Sequence, residues 1–279
     1  MNTHALEVQR GERFRFGENW SRFLRLLDDD RIQRAEQSLR EMLGVERLDG
    51  LSFLDIGSGS GLFSLAARRL GARVRSFDFD PDSVACTAEL RRRFFPAEDS
   101  WEVSEGSVLD PEFMTSLGRF DIVYAWGVLH HTGKMWEALA LAGERVAGGG
   151  TLFIAIYNDM GAESERWTRI KRTYCGLPEP LRPLFAVGAM LPYEVREVGG
   201  AVLRGRPQEY VHSWTRYRGN RGMSRWRDII DWVGGYPYEY ASTEALIEFF
   251  QHRGFEAQKA VPTRGLGCNE LVMTRNHTE

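Results

Sequence analysis

The chain has 279 residues, 43% of them hydrophobic, with 36 basic against 39 acidic residues and a formal net charge of −3. That supports a buried core for one elaborated α/β domain or two small ones, and the near-balanced charge excludes a global nucleic-acid signature. No apolar run nears the roughly 18 to 20 residues of a membrane span, the charged start (Glu7, Arg10, Glu12, Arg13, Arg15) offers no signal-peptide core, and scattered Cys86, Cys175 and Cys268 suit neither a disulfide frame nor a zinc site, so a reducing cytoplasm is the expected location.

In chain order, residues 1–48 read as a helical N-terminal extension. Phe14, Phe16 and Trp20 come first, either as part of an ordinary packed helix or as a lid over a cleft. From Ser21 to Leu43, apolar residues at Phe23, Leu24, Leu27, Ile32, Ala35, Leu39 and Leu43 recur close to the helical period. Strands near 51–56, 73–77, 101–104, 120–125 and 151–157 then alternate with helices near 62–70, 82–95, 111–117 and 135–146. Such alternation predicts a parallel sheet covered on both faces. Residues 159–240 hold Trp167, Tyr174, Trp214, Trp226, Trp232, Tyr236 and Tyr238 and several prolines, too rich a mixture for a linker. They predict a helical insertion after the fifth strand. A helix follows from Thr243 to Arg253, capped by Ser242 and Gly254. Two last strands, Phe255 to Val261 and Asn269 to Thr274, are joined through Gly265 and Gly267 by a connection too short for anything but an antiparallel pair. The expected fold is α/β: a doubly wound, seven-stranded, mostly parallel sheet (49–158 with 241–279) with an antiparallel terminal hairpin.

The chemistry concentrates after the first strand. Leu54-Asp55-Ile56-Gly57-Ser58-Gly59-Ser60-Gly61 ends that strand in a glycine turn, where a side chain would hold the backbone away from a ligand. Arg73 to Asp78 ends the next strand in an acid able to accept a ribose diol. The dinucleotide fingerprint G-x-G-x-x-G is not met, because Leu62 stands where its last glycine would fall. Asp80 before Pro81 reads as a helix N-cap, which leaves Asp78 for the ribose; with the two roles exchanged, Asp80 would face the cofactor.

This D-x-G-x-G-x-G segment and its downstream acid resemble the first motifs of the class I S-adenosylmethionine-dependent methyltransferases. The similarity continues through Ser104 to Asp110, Phe120 to His131 and Leu141 to Ile156, then resumes near residue 242. In style the chain is similar to quinone-biosynthesis-like and natural-product methyltransferases. The resemblance implies a Rossmann-like methyltransferase fold, S-adenosylmethionine as cofactor and S-adenosylhomocysteine as its product. It places Asp55, Gly57, Ser58, Gly59, Gly61, Asp78, Phe79, Ser107, Val108 and Trp126 around the cofactor. His131, His130 and Tyr157, beyond the fourth and fifth strands, are candidates for catalysis; the alternative is that one histidine caps a helix and the other packs beneath the cofactor.

An insertion after the fifth strand rises over the carboxyl edge of the sheet, where open α/β sheets bind ligands, so residues 159–240 are expected to cap the acceptor. Asn158, Arg166, His212, Trp214, Arg216, Tyr217, Arg221 and Trp226 are its candidate contacts. Seven arginines between Arg204 and Arg227 face one acid, Glu209; they are either a solvated face or forks onto an acceptor carboxylate or phosphate, Arg225 and Arg218 among them. The expected acceptor is therefore a small molecule or peptide, anionic in the second reading, methylated on oxygen before nitrogen or carbon. No membrane or nucleic-acid partner is expected, no clustered carboxylates and histidines demand a metal, and the oligomeric state is open. Two rivals stand: a nicotinamide-dependent oxidoreductase, and a non-catalytic RNA- or protein-binding module on the same fold.

Overall fold

The computed structural model of the chain describes residues 3–17, 20, 24, 27–97, 99–215 and 225–277. Its centre is a seven-stranded sheet in the order β3-β2-β1-β4-β5-β7-β6. The strands are β1 (Ser52–Ile56), β2 (Arg73–Asp78), β3 (Trp101–Glu105), β4 (Phe120–Trp126), β5 (Val146–Tyr157), β6 (Phe255–Val261) and β7 (Cys268–Arg275). The first five pair in parallel; β7 runs antiparallel to both β5 and β6. Beginning at β1 and reversing to its other side at β4, this order leaves a crevice at the carboxyl ends of β1 and β4, the point where open α/β sheets hold ligands.

Alternation within each strand builds the two faces. Leu54 and Ile56 of β1, Val123 and Ala125 of β4, and Leu152, Ile154 and Ile156 of β5 fill one core. It is covered by α5 (Pro111–Ser116), α6 (Met135–Glu144) and α11 (Thr243–Gln251), through Met114, Leu139, Leu246 and Phe250. The intervening Phe53, Ile122, Tyr124 and Phe153 point the other way. They meet α2 (Asp29–Leu43), α3 (Leu62–Arg69) and α4 (Pro81–Phe94), through Leu39, Leu65 and Leu90. Truncating a fully buried ring such as Phe53 to alanine is expected to destabilise the fold by about 3–5 kcal/mol.

Two boundaries differ from the sequence reading. The helix that runs to Leu43 starts at Asp29, because Asp28 adopts an extended conformation and its side chain accepts the Arg31 N–H at 3.0 Å, capping the helix there; Ser21 and Phe23 lie outside the described residues. The fifth strand begins at Val146 rather than near residue 151 and takes in the glycines at 148–150: Val146 pairs with Phe120, and the register shifts before Ile122 pairs with Thr151.

The chain divides into two units, Phe16–Ser164 with Tyr238–Glu279 and Met1–Arg15 with Glu165–Pro237. The N-terminal extension is thus shared between them. In the second unit lie α1 (Thr3–Gln9), most of α7 (Ala162–Gly176), and all of α8 (Arg182–Leu203), α9 (Pro207–Thr215) and α10 (Arg225–Gly234). Its centre is Trp167, fully buried, with ring centroids 5.2 Å from Trp232 and 5.6 Å from Tyr193. The buried Lys171 ammonium donates to the Trp232 carbonyl and sits 4.2 Å from the Trp232 ring centroid. Burial pushes its pKa down to about 7, against the opposing pull of Cys175 and Asp231.

Candidate active site

The turn after β1 is tied to β2 by backbone bonds: Gly57 and Ser58 N–H both donate to the Phe77 carbonyl, at 2.9 and 3.1 Å. Gly57 takes φ of 71°, and a Cβ there would lie 2.4 Å from Val128. Gly59 takes φ of 54°, with the Trp20 indole 3.1 Å from where its Cβ would stand. Both positions combine a left-handed backbone with close approach, the two reasons a chain needs glycine.

Asp78 closes this turn from β2. One carboxylate oxygen accepts the Gly59 N–H and the other the Asp80 N–H, each at 2.9 Å. The side chain is partly exposed, yet its carboxyl is sunk among protein atoms, and that desolvation raises its pKa to about 6 against the backbone donors of Asp80, Gly59 and Phe79. Asp80 behaves as the cap its position predicts: one oxygen accepts the Asp82 N–H at 2.9 Å, the other the Gly17 N–H at 2.8 Å. Asp55 points away from the cleft, on the Phe53 face of β1. Its carboxylate accepts from Ser64 Oγ of α3, in a chain that continues through Ser76 Oγ to the Trp101 indole. Desolvation raises its pKa to about 7, with the Ser64 bond opposing. It ties β1 to the first turn of α3.

On the β3 loop, Ser107 Oγ accepts the Leu109 N–H at 3.2 Å and the Val108 side chain is buried in the core, so what these residues offer a ligand is chiefly backbone. Trp126 ends β4, partly buried against α3 and its neighbours.

Beyond β4, a short 3-10 turn, Leu129–His131, brings both histidines against the end of β5. His130 is fully buried; its Nδ1 accepts the Tyr157 N–H at 3.3 Å, which places the ring proton on Nε2, and its carbonyl accepts the Glu239 N–H at 2.9 Å. The His131 ring centroid stands 4.9 Å from Phe16 and 5.4 Å from Tyr157. Three residues the motif reading did not select complete the cluster. The Tyr238 ring packs tilted, its centroid 5.0 Å from that of Tyr157, Tyr240 lies 5.6 Å from Tyr238, and the Glu239 carboxylate accepts the Met135 N–H that starts α6 at 3.0 Å. The Tyr-Glu-Tyr run immediately before the Ser242 cap was the available signal.

Comparison with known proteins bears on the family and the fold. A family model described as a methyltransferase domain matches residues 19–190. The chain belongs to the class I S-adenosylmethionine-dependent methyltransferases. Among relatives, the methyltransferase is 34% identical over 120 residues to a ubiquinone biosynthesis O-methyltransferase of Methylobacterium sp., a match covering 43% of this chain and 46% of that one. It thus spans about half the length of the relatives it matches. Two solved structures share the fold. PKMT2 from Rickettsia typhi, in complex with AdoHcy, aligns with a TM-score of 0.58 at 13% identity, over 88% of this chain and 52% of that one. Magnesium protoporphyrin IX methyltransferase from Synechocystis PCC 6803, with bound SAH, gives 0.51 at 13% identity, over 88% and 83%.

Of the residues expected around the acceptor, Asn158, Arg166, His212, Trp214 and Trp226 are among the described residues. Asn158 is engaged locally: its Oδ1 accepts from the buried Asn269 at 3.0 Å and its Nδ2 donates to the Thr263 carbonyl at 3.2 Å. Arg166, His212 and Trp214 are exposed, and Trp226 half-buried, within the Glu165–Pro237 unit. Arg216, Tyr217, Arg218 and Arg221 lie outside the described residues. Arg225 is not available as an anion fork: it pairs with Glu194 at 2.9 Å and with Glu197, its guanidinium 5.0 Å from the Trp214 ring centroid. Phe14 packs 6.4 Å from Tyr174, Phe16 lies 4.9 Å from His131, and Trp20 lies against Gly59. Among the described residues no group of histidines, cysteines and carboxylates could hold a metal, and no helix is long and apolar enough to cross a membrane.

Proposed function

We propose that this enzyme transfers the methyl group of S-adenosylmethionine to a hydroxyl oxygen of a small or medium-sized acceptor, with residues 159–240 selecting that acceptor. The cofactor brings a methyl already activated on a sulfonium, and S-adenosylhomocysteine is left after an in-line displacement. The protein's residues must then hold the reactants in line, exclude water and receive the acceptor proton.

The fit to the cofactor rests on the donor and acceptor inventory of the turn. Gly57, Ser58, Gly59 and Gly61 present backbone without bulk. The Asp78 carboxylate accepts the Gly59 and Asp80 N–H groups and is bonded by the Phe79 backbone as well; with about four acceptor positions on an ionised carboxylate, it keeps capacity for a ribose hydroxyl. Phe79 follows it directly, Ser107 and Val108 lie on the loop after β3, and Trp126 ends β4. Asp55 anchors the helix that leaves the turn, through Ser64.

The observation that carries the oxygen-acceptor reading is His131, fixed between Phe16 and Tyr157 in the turn entered through Val128, the residue pressed against Gly57. That places a titratable imidazole in an aromatic, poorly hydrated setting beside the cofactor turn, suited to taking a hydroxyl proton as the oxygen is methylated. His130, its Nδ1 engaged by Tyr157, is a positioning residue, and Tyr157 a wall of the same cluster. The O-methyltransferase among the relatives supports the same choice of atom. An acid group on the acceptor would be met from the arginine-rich run that holds Arg216 and Arg221, in which Arg206 pairs with Glu209 and Arg225 with Glu194.

Incubation with methyl-labelled S-adenosylmethionine and a panel of phenolic, carboxylate-bearing and amine metabolites tests the reading. Label on oxygen is the expected result. Label confined to nitrogen, carbon or the polypeptide would overturn it.

A further inference from the structure

Helix α8 turns six large apolar side chains to solvent: Leu184, Val187, Leu191, Val195, Val198 and Val202, from 37% exposed at Val198 to 73% at Leu184. Their spacing of three, four, four, three and four residues keeps them on one side of the helix, a nearly straight stripe about five turns long. The opposite side is committed elsewhere: Ala186 and Ala201 are buried and Tyr193 packs on Trp167. Gly188 and Gly199 flank the stripe, and a Cβ at either would meet nothing within 4 Å. Monomeric proteins rarely leave so long an apolar strip uncovered.

We propose that this stripe is a dimerisation face on which α8 packs antiparallel against α8 of a second copy. Self-complementarity about a two-fold axis at the level of Tyr193 favours that occupant. In this register Leu184 faces Val202, Leu191 faces Val195, Val187 faces Gly199 and Gly188 faces Val198. Each valine beside a glycine meets the bare position it needs for close helix approach, as an isologous interface requires. None of the six stripe residues is charged, so the pairing brings no like charges together. Covering the six side chains removes about 500–600 Å² from each copy, and the adjoining glycines, Pro192 and Leu203 bring the patch close to the ~800 Å² per partner of a stable interface. A lipid surface is the poorer occupant. The helix carries Arg182 and Arg196 against Glu194 and Glu197 and no lysine, whereas helices that lie on membranes present a basic polar face.

Sedimentation velocity of the full chain, with Leu191→Glu, Val195→Lys and their equimolar mixture, tests the proposal. The wild type should be a dimer, and each variant alone should dissociate at least about a hundredfold more readily, because each buries an unpaired charge. Their mixture should regain the dimer, since the carboxylate introduced in one copy then faces the ammonium introduced in the other across the axis. Unchanged far-ultraviolet circular dichroism and melting temperature would show that the variants fold. A wild-type monomer, a dimer indifferent to Leu191→Glu, or a mixture that stays monomeric would overturn the proposal. So would a wild-type monomer that floats with vesicles of phosphatidylcholine and phosphatidylserine, which would assign the face to lipid.

Discussion

The Gly59 N–H donates to Asp78 at 2.9 Å, so the glycine turn after β1 and the acid that ends β2 form a single hydrogen-bonded element. A change in either one alters the geometry of the other. This coupling makes the cofactor site sensitive to the protonation of one carboxyl group.

Asp78 is held up to about 6 by burial. A carboxyl raised in the folded chain contributes stability that is complete below its ordinary value and lost as pH rises through about 6. Cofactor binding runs in the opposite direction, because ribose hydroxyls donate to the ionised form. Affinity for S-adenosylhomocysteine should therefore be full above about pH 7 and fall as pH drops through 6. Asp55, raised to about 7, titrates nearby, so calorimetry across this range should be repeated with Asp78→Asn. The variant is expected to bind weakly with a flattened profile, and a wild-type profile in Asp78→Asn would assign the dependence elsewhere.

Asp80→Ala should act on the fold rather than on the cofactor. It removes the N-cap of α4 and the acceptor for the Gly17 N–H, a loss of about 1–2 kcal/mol on the scale of helix caps. Urea denaturation should show that shift in midpoint while cofactor affinity changes little.

Trp20 lies against Gly59, so its indole should report on occupancy of the turn. Adding S-adenosylhomocysteine should change intrinsic fluorescence in the wild type, and the change should shrink in Trp20→Phe. An identical response in both proteins would place Trp20 outside the site.

His131→Ala should lower kcat by roughly 10²–10⁴, the range of general-base catalysis, with cofactor affinity near wild type. Wild-type turnover would reduce the residue to packing against Phe16.

The alternating strands and helices, the terminal hairpin and the Asp80-Pro81 cap were legible in the sequence because each is written in local periodicity or in residues a few positions apart. The direction of Asp55 could have been read as well: alternation in β1 puts it on the face of Phe53, beneath α3. What escaped depends on distant partners. Arg225 sits in an arginine-rich run that reads as free charge, yet Glu194 and Glu197, 31 and 28 residues earlier, hold it. Nothing in the spacing of Phe14, Phe16 and Trp20 shows that the first joins a different unit from the other two. Asn158 looks like a pocket residue from its place after β5, but Asn269, 111 residues later, engages it.

Titration calorimetry of S-adenosylhomocysteine against the wild type, Asp78→Ala and Asp80→Ala at pH 8 tests the central claim most directly. The wild type should bind one equivalent, Asp78→Ala should lose about 1.5–3 kcal/mol of binding free energy, as expected for a charge-assisted hydrogen-bonding group, and Asp80→Ala should bind almost normally. Normal binding by Asp78→Ala together with loss in Asp80→Ala would contradict the site described for β2 and its glycine turn.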